Sequence, residues 1–265
     1  MAFALINRGH FDDCRGFIHQ GENMRYLKNG LAALGLAVLL SGCVSPLPKQ
    51  QAFDRDGHAR VKTIHVMPMP KVETQVLMMN NPAGSFGLIG GLIAAGQAES
   101  KQQRLLALYA KEPIHPREYF QTELTKDLVA RGYAVVWPTL NESVAVEHDR
   151  SGLRDKYAPV SDADAILDVD LNFFGFASGG AGHDSPYRPT ATAVARLMSS
   201  DGTQTYFTDY FAYNNIFNSK TAVTVEPDPG YVYPGFGDLE HAGMKSEAGL
   251  KLALSELAKK LASEL

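Results

Sequence analysis

The stretch AILDVDLNFF, residues 165–174, decides the architecture. Ala165, Leu167, Val169, Leu171 and Phe173 alternate with Ile166, Asp168, Asp170, Asn172 and Phe174. A period of two marks a strand with one face in a core and the other mostly polar. Downstream, GFASGGAGHDSPYRPT (175–190) is rich in small and turn-forming residues and reads as a loop. Residues 192–198 and 203–213 then read as a hairpin around Ser199-Ser200-Asp201-Gly202, where Asp-Gly supplies the positive φ of a tight turn. Upstream, YAVVW (133–137) is a short buried strand ended by Pro138. It follows a helix over 116–131, with Pro116 in the first turn, Phe120, Leu124 and Leu128 on one face, and Gly132 as a left-handed cap. VKTIHVM (61–67) is a first strand, closed by Pro68 and Pro70, which cannot continue a central ladder. Residues 214–243 show no period and are dense in Pro, Gly and Tyr. The chain ends in an amphipathic helix over 244–265, with Leu250, Leu254, Leu257 and Leu261 as its buried stripe. Strand, helix, strand, strand, hairpin, helix predicts an α/β (α+β) fold, a small mixed sheet with helices packed on one face. No internal repeat or compositional break divides residues 61–265, which read as one domain.

The 265 residues are 45% hydrophobic and 20% charged, with a net charge of −4. That balance suits an ordinary globular domain and argues against a nucleic-acid partner, which calls for a strongly basic face. Two cysteines, Cys14 and Cys43, cannot build a disulfide framework or a cysteine-rich zinc site. Their placement matters more. Residues 24–43, MRYLKNGLAALGLAVLLSGC, carry basic Arg25 and Lys28, then ten apolar residues, then Leu40-Ser41-Gly42-Cys43. The apolar run is too short to span a bilayer and has the layout of an export signal. Residues 1–23 precede it without pattern and read as an over-long start or an extended basic region. Residues 43–60, polar and with two prolines, read as a tether.

Leu40-Ser41-Gly42-Cys43 resembles the lipobox of bacterial lipoproteins. The resemblance implies cleavage before Cys43 and acylation of its sulfur and new amino group. Several acyl chains hold a protein on a membrane stably where one alone is marginal. Val44 and Ser45 follow the cysteine where an aspartate retains such proteins at the inner membrane, so the implied address is the outer membrane, facing the periplasm. Further along, TIHVMPMP (63–70), ARGYAVVWP (130–138), ADAILDVDL (163–171) and ATAVARLMSSDGTQTYFTDY (191–210) resemble bacterial envelope lipoproteins. Their fold type is similar to the TolB amino-terminal domain and to the periplasmic domain of the curli-secretion lipoprotein. Two features depart from that pattern: Thr205-Tyr206-Phe207 stands where the hairpin often carries Leu-Trp, and residues 214–243 have no counterpart. The resemblance implies an accessory or assembly role in an envelope complex, with an oligomeric secretion pore as the alternative. A hydrolase of envelope polymers is a third class without a signature here.

Candidate chemistry is sparse. Asp168 and Asp170 emerge on one strand face and could hold a cation or exchange protons, although a solvated face is the plainer expectation. His183, Asp184 and Ser185 are consecutive, whereas members of a catalytic triad converge from separate elements. His58, His65, His115, His148 and His241 lack metal-ligand spacing. No nucleophile elbow, zinc-binding helix or phosphate-cradling loop occurs, so the expected class is binding without catalysis, cofactor or metal. The most unusual tract is FGLIGGLIAAGQA (86–98), from Phe86 through Gly87, Gly91 and Ala95, small residues at intervals of four. It is read as a helix packed within the domain, a self-association contact, or a membrane-inserting segment. Lys101, just beyond it, is expected to be exposed. The aromatics Tyr206, Phe207, Tyr210, Phe211, Tyr213 and Phe217 read as sheet core or a partner surface, with Tyr231, Tyr233 and Phe236 following in a loop.

Overall fold

The computed structural model describes residues 49–80, 87–110, 113–138, 147–180, 185–217 and 219–265, without side chains for 78–80 and 87–95. The stretch read as a signal and lipobox, with Leu40, Ser41, Gly42 and Cys43, lies outside the described residues, as do Phe86, His183 and Asp184. Seven strands form one mixed sheet: β1 (Thr63–Val66), β2 (Gln75–Asn80), β3 (Ala134–Val136), β4 (Ala165–Gly180), β5 (Arg188–Ser199), β6 (Thr205–Tyr213) and β7 (Val223–Val225). The helices are α1 (Gly87–Leu108), α2 (Pro116–Ala130), α3 (Phe236–His241) and α4 (Met244–Glu264). Strand order is β3-β1-β4-β5-β6-β7, with β2 also on β4. The sheet is antiparallel across β4, β5 and β6, and parallel at β1, β2, β3 and β7.

β4 is the spine of the sheet. It runs to Gly180, six residues past the expected end, and β5 starts at Arg188, so most of the loop read at 175–190 is strand. Beyond the first strand, β4 pairs in tandem along one edge, with β1 at 165–167 and with β2 at 175–180. A bulge between Leu171 and Phe173 explains why the simple alternation fails there. Before it, Ala165, Leu167, Val169 and Leu171 join the main core; after it, Phe174 and Phe176 do, and Phe173 turns to the other face against Phe217. Gly175 has φ +151°, and a Cβ there would lie 1.9 Å from the Gln75 carbonyl oxygen, so only glycine lets β2 approach.

All four helices feed one apolar cluster on one face of the sheet, as the terminal leucine stripe predicts. Leu250, Leu254, Leu257 and Leu261 are buried, and α4 packs against α2, β5 and β6. Phe120, Leu124 and Leu128 complete the layer, and Gly132 and Gly202 take the expected left-handed turns. Tyr206, Phe207, Phe211 and Tyr213 belong to this core as well. Three expectations fail. The strand at 134–136 is an edge strand, exposed to half-buried, because only β1 pairs with it. Residues 214–243 are structured, containing β7, a 3-10 turn at Pro229–Tyr231 and α3, whose packing through Tyr233, Phe236 and Leu239 is non-local and leaves no period. The tether is laid down from Gln50: Gln51 exchanges backbone hydrogen bonds with Thr208, and Arg55 donates to the Leu265 carbonyl at 2.8 Å.

Candidate functional site

Tract 86–98 is helical from Gly87, and the helix continues to Leu108, ten residues beyond the tract. Its two ends differ in how they are held. Toward the C-terminus, Leu105 and Tyr109 are buried, and the Tyr109 hydroxyl meets the Ser246 hydroxyl at 2.7 Å. Burial pushes the Tyr109 phenol well up from its ordinary range. Lys101 is not free, contrary to expectation. Its ammonium donates to the Tyr187 hydroxyl at 2.9 Å and stands 5.7 Å from the Phe236 ring centre. Arg104 stacks over the same ring at 4.8 Å and pairs with Glu240 at 2.9 Å. These cation–π contacts clamp α1 to α3. One turn earlier the helix is bare. Gly96, Gln97, Ala98, Glu99 and Ser100 are all exposed, and a Cβ on Gly96 would meet nothing within 4 Å. Five consecutive exposed residues pass the full circumference of a helix with 3.6 residues per turn, so no described element covers α1 at that level. The docked half, Lys101 to Leu108, lies beyond the 86–98 tract. Gly87, Gly91 and Ala95 precede the bare turn on the same helix.

The second polar assembly sits on the face opposite the helices. Asp168 is buried, not solvated as expected, because Arg154 and Tyr157 of the segment 147–158 lie against its carboxylate. Arg154 forms an ion pair with Asp168 and also donates its backbone N–H to that carboxylate at 2.8 Å. Tyr157 donates to the same carboxylate at 3.0 Å, and a second Arg154 nitrogen reaches the Pro68 carbonyl at 2.7 Å. Arg196, from the middle of β5, bonds the Arg154 carbonyl at 3.2 Å and pairs with Asp149 at 3.0 Å. Burial raises the Asp149 carboxyl, but hydrogen bonds from Ser151 and Arg196 more than offset it and hold it below the usual range. Asp170 is treated differently. Burial, and then the charge of Asp168, push its carboxyl up to about 6 against the pull of Arg154, and its main partner is the Asn172 amide at 2.9 Å. Gly152, at φ +93°, lies so close that a Cβ would stand 1.9 Å from an Asp170 oxygen. The two aspartates therefore have separate environments. Among the described residues no three His, Cys, Asp or Glu side chains are grouped to hold a metal.

The remaining candidates are structural. His65 meets Asp162 at 3.1 Å, His58 packs on Tyr206, and His241 lies 2.7 Å from the Gly237 carbonyl. Ser185 contributes its carbonyl to the Ser178 hydroxyl. A shallow groove of about 350 Å³ at the end of β6 was not foreseen; Arg188 and Glu226 line it without any ion pair or hydrogen bond between side chains. The strap residues Asp149, Arg154 and Tyr157 were missed too, and the one available signal was Arg196, a charge inside the apolar run ATAVARLMS.

No protein-family model matches the chain. No curated protein matches it. Structural comparison pairs it with the PelC dodecamer from Paraburkholderia phytofirmans at 12% identity, covering 81% of this chain and 95% of that one, with a TM-score of 0.31. Protein XCC0632 from Xanthomonas campestris is 11% identical over 75% of this chain and 91% of that one, TM-score 0.32. The lipoprotein GNA1162 from Neisseria meningitidis is 15% identical over 57% of this chain and 78% of that one, TM-score 0.22. At these scores little backbone superposes, and the fold described above stands on the strand register of this chain alone. No described helix is long and apolar enough to cross a membrane.

Proposed function

We propose that this chain is a lipid-anchored protein of the outer membrane, facing the periplasm, that works by binding as an assembly or accessory component and uses α1 as its contact element. The observation that carries the reading is the split in α1, docked from Lys101 onward and bare on every side from Gly96 to Ser100. A helix gains most of its stability from packing its apolar face, so an apolar run such as GLIGGLIAA ahead of a bare turn calls for a partner. Small residues at Gly87, Gly91 and Ala95 allow a second backbone to come close. The leader and the cysteine at 43 supply the address, and the resemblance of the strands to envelope lipoproteins supports an accessory role over catalysis. Self-association through the same helix is the second reading, favoured by those small residues, and would place the chain with ring-forming lipoproteins.

Two experiments test this. Cys43→Ser should abolish lipidation and detergent-phase partitioning; unchanged partitioning would end the lipoprotein reading. A photo-crosslinker at Gln97 in living cells should give a discrete adduct, whether with another protein or with a second copy. No adduct at Gln97, with a crosslinker on exposed Val129 equally silent, would end the contact role of α1.

A further inference from the structure

From Gln50 the polypeptide is held: the Gln50 amide donates to Asp209 at 2.6 Å and to the Thr221 carbonyl at 2.5 Å, and Gln51 bonds Thr208 through both backbone groups. Only six residues, 44–49, separate this clamp from Cys43, and two of them are prolines. Fully extended, that leash reaches about 25 Å. Thr208 stands opposite Arg196 on β5, which stands opposite Asp168 on β4, so the clamp lies at the level of the first half of β4 and three strands to one side. The strand β2, which leads into α1, lies on the other side of β4 at the level of Gly175 to Gly180. At about 3.3 Å per residue and 4.8 Å per strand, the two points are about 35 Å apart on the diagonal of the sheet. The clamped corner also carries Lys49 and Lys220, both exposed and without ion pairs among the described residues, which suits an anionic phospholipid surface.

We infer that the corner formed by Gln50, Thr208 and Lys220 faces the bilayer, while the bare turn of α1 points into the aqueous space and takes a protein partner. The inference rests on lipidation at Cys43 as proposed above.

The mature chain has no cysteine besides Cys43, so one introduced cysteine gives one label. Lys220→Cys and Gln97→Cys, purified as full-length lipidated proteins, are labelled with a fluorescent donor. They are reconstituted in liposomes of phosphatidylethanolamine and phosphatidylglycerol containing a lipid-phase acceptor. The label at position 220 should be strongly quenched by energy transfer and the label at 97 weakly, with the difference lost when detergent dissolves the liposomes. Equal quenching, or stronger quenching at 97, would overturn the orientation. Mass spectrometry of the amino terminus separates the two failures. Lipid on Cys43 with the wrong order sinks the orientation alone, and no lipid sinks both readings.

Discussion

The two faces of the sheet are built from the same strands by opposite means. On one face α2 and α4 bury leucines and phenylalanines, and stability comes from area removed from water. On the other, the strap 147–158 covers β4 with a small apolar patch at Leu153, Val194, Tyr210 and Ala212, and a charged network around Asp168. The helical face tolerates the loss of one contact in proportion to volume. The strapped face holds charges whose partners cannot be removed singly without stranding the other.

The largest effect should therefore come from the strap. Arg154→Ala leaves the buried Asp168 carboxylate without its counterion and should cost about 4 kcal/mol in urea unfolding, with much of the loss regained in Arg154→Met combined with Asp168→Leu. If the double variant is no more stable than the single one, the network is not acting through charge burial. Next, Leu257→Ala on the helical face should cost about 3 kcal/mol, and no second substitution on the strapped face should restore it.

pH should separate Asp170 from the other shifted carboxylates, Asp149 of the same face included. The folded protein holds the Asp170 proton more tightly than the unfolded chain does, with a value of about 6 against an ordinary 3.8. Its contribution is thus fully present below about pH 4 and lost as pH rises through 6, worth about 3 kcal/mol. Glu118, Glu123 and Asp164 are all lowered and work in the opposite direction, losing stability as pH falls. The test is the difference between Asp170→Asn and wild type: the variant should gain relative melting temperature between pH 5 and 7.5, and a constant difference would contradict the burial of Asp170. The smallest effect concerns α1. Gly96→Ala should stabilise the isolated protein by about 0.5–1 kcal/mol, since nothing surrounds the site and alanine is the better helix former. A loss of stability instead would mean that a neighbour covers the helix there.

The same contrast explains what could be read from sequence. The helical face was legible because each of its signals is local: period two at residues 165–171, a leucine stripe in α4, proline and glycine at the ends of α2. The bulge at Leu171/Phe173 hid the second half of β4, since two residues out of phase look like the end of a strand. β2 and β7 were invisible because three- to six-residue strands next to proline carry no period of their own. At the candidate sites, Asp168 was found and its environment misjudged. Its partner Arg154 is fourteen residues away in an irregular segment, and only the fold brings the two together. The 86–98 tract stood out by its small residues at intervals of four, but the clamping of Lys101 and Arg104 beyond it depends on Tyr187, Phe236 and Glu240.

The bulge in β4 has a consequence for how this protein tolerates change in length. Strands usually accept insertions only at their ends, yet here one extra residue near Asn172 is already built in. It moves the inward positions from odd numbers before it to even numbers after it. Deleting Asn172 would restore an unbroken alternation and make the sequence look more regular. Phe174 and Phe176 would keep the core face and Phe173 the strapped one, because Leu171, Phe173 and Phe174 already face the consecutive β5 residues Ala193, Thr192 and Ala191. A substitution at Asn172, which is exposed, should be nearly silent, and losing the residue should straighten β4 without turning either half over.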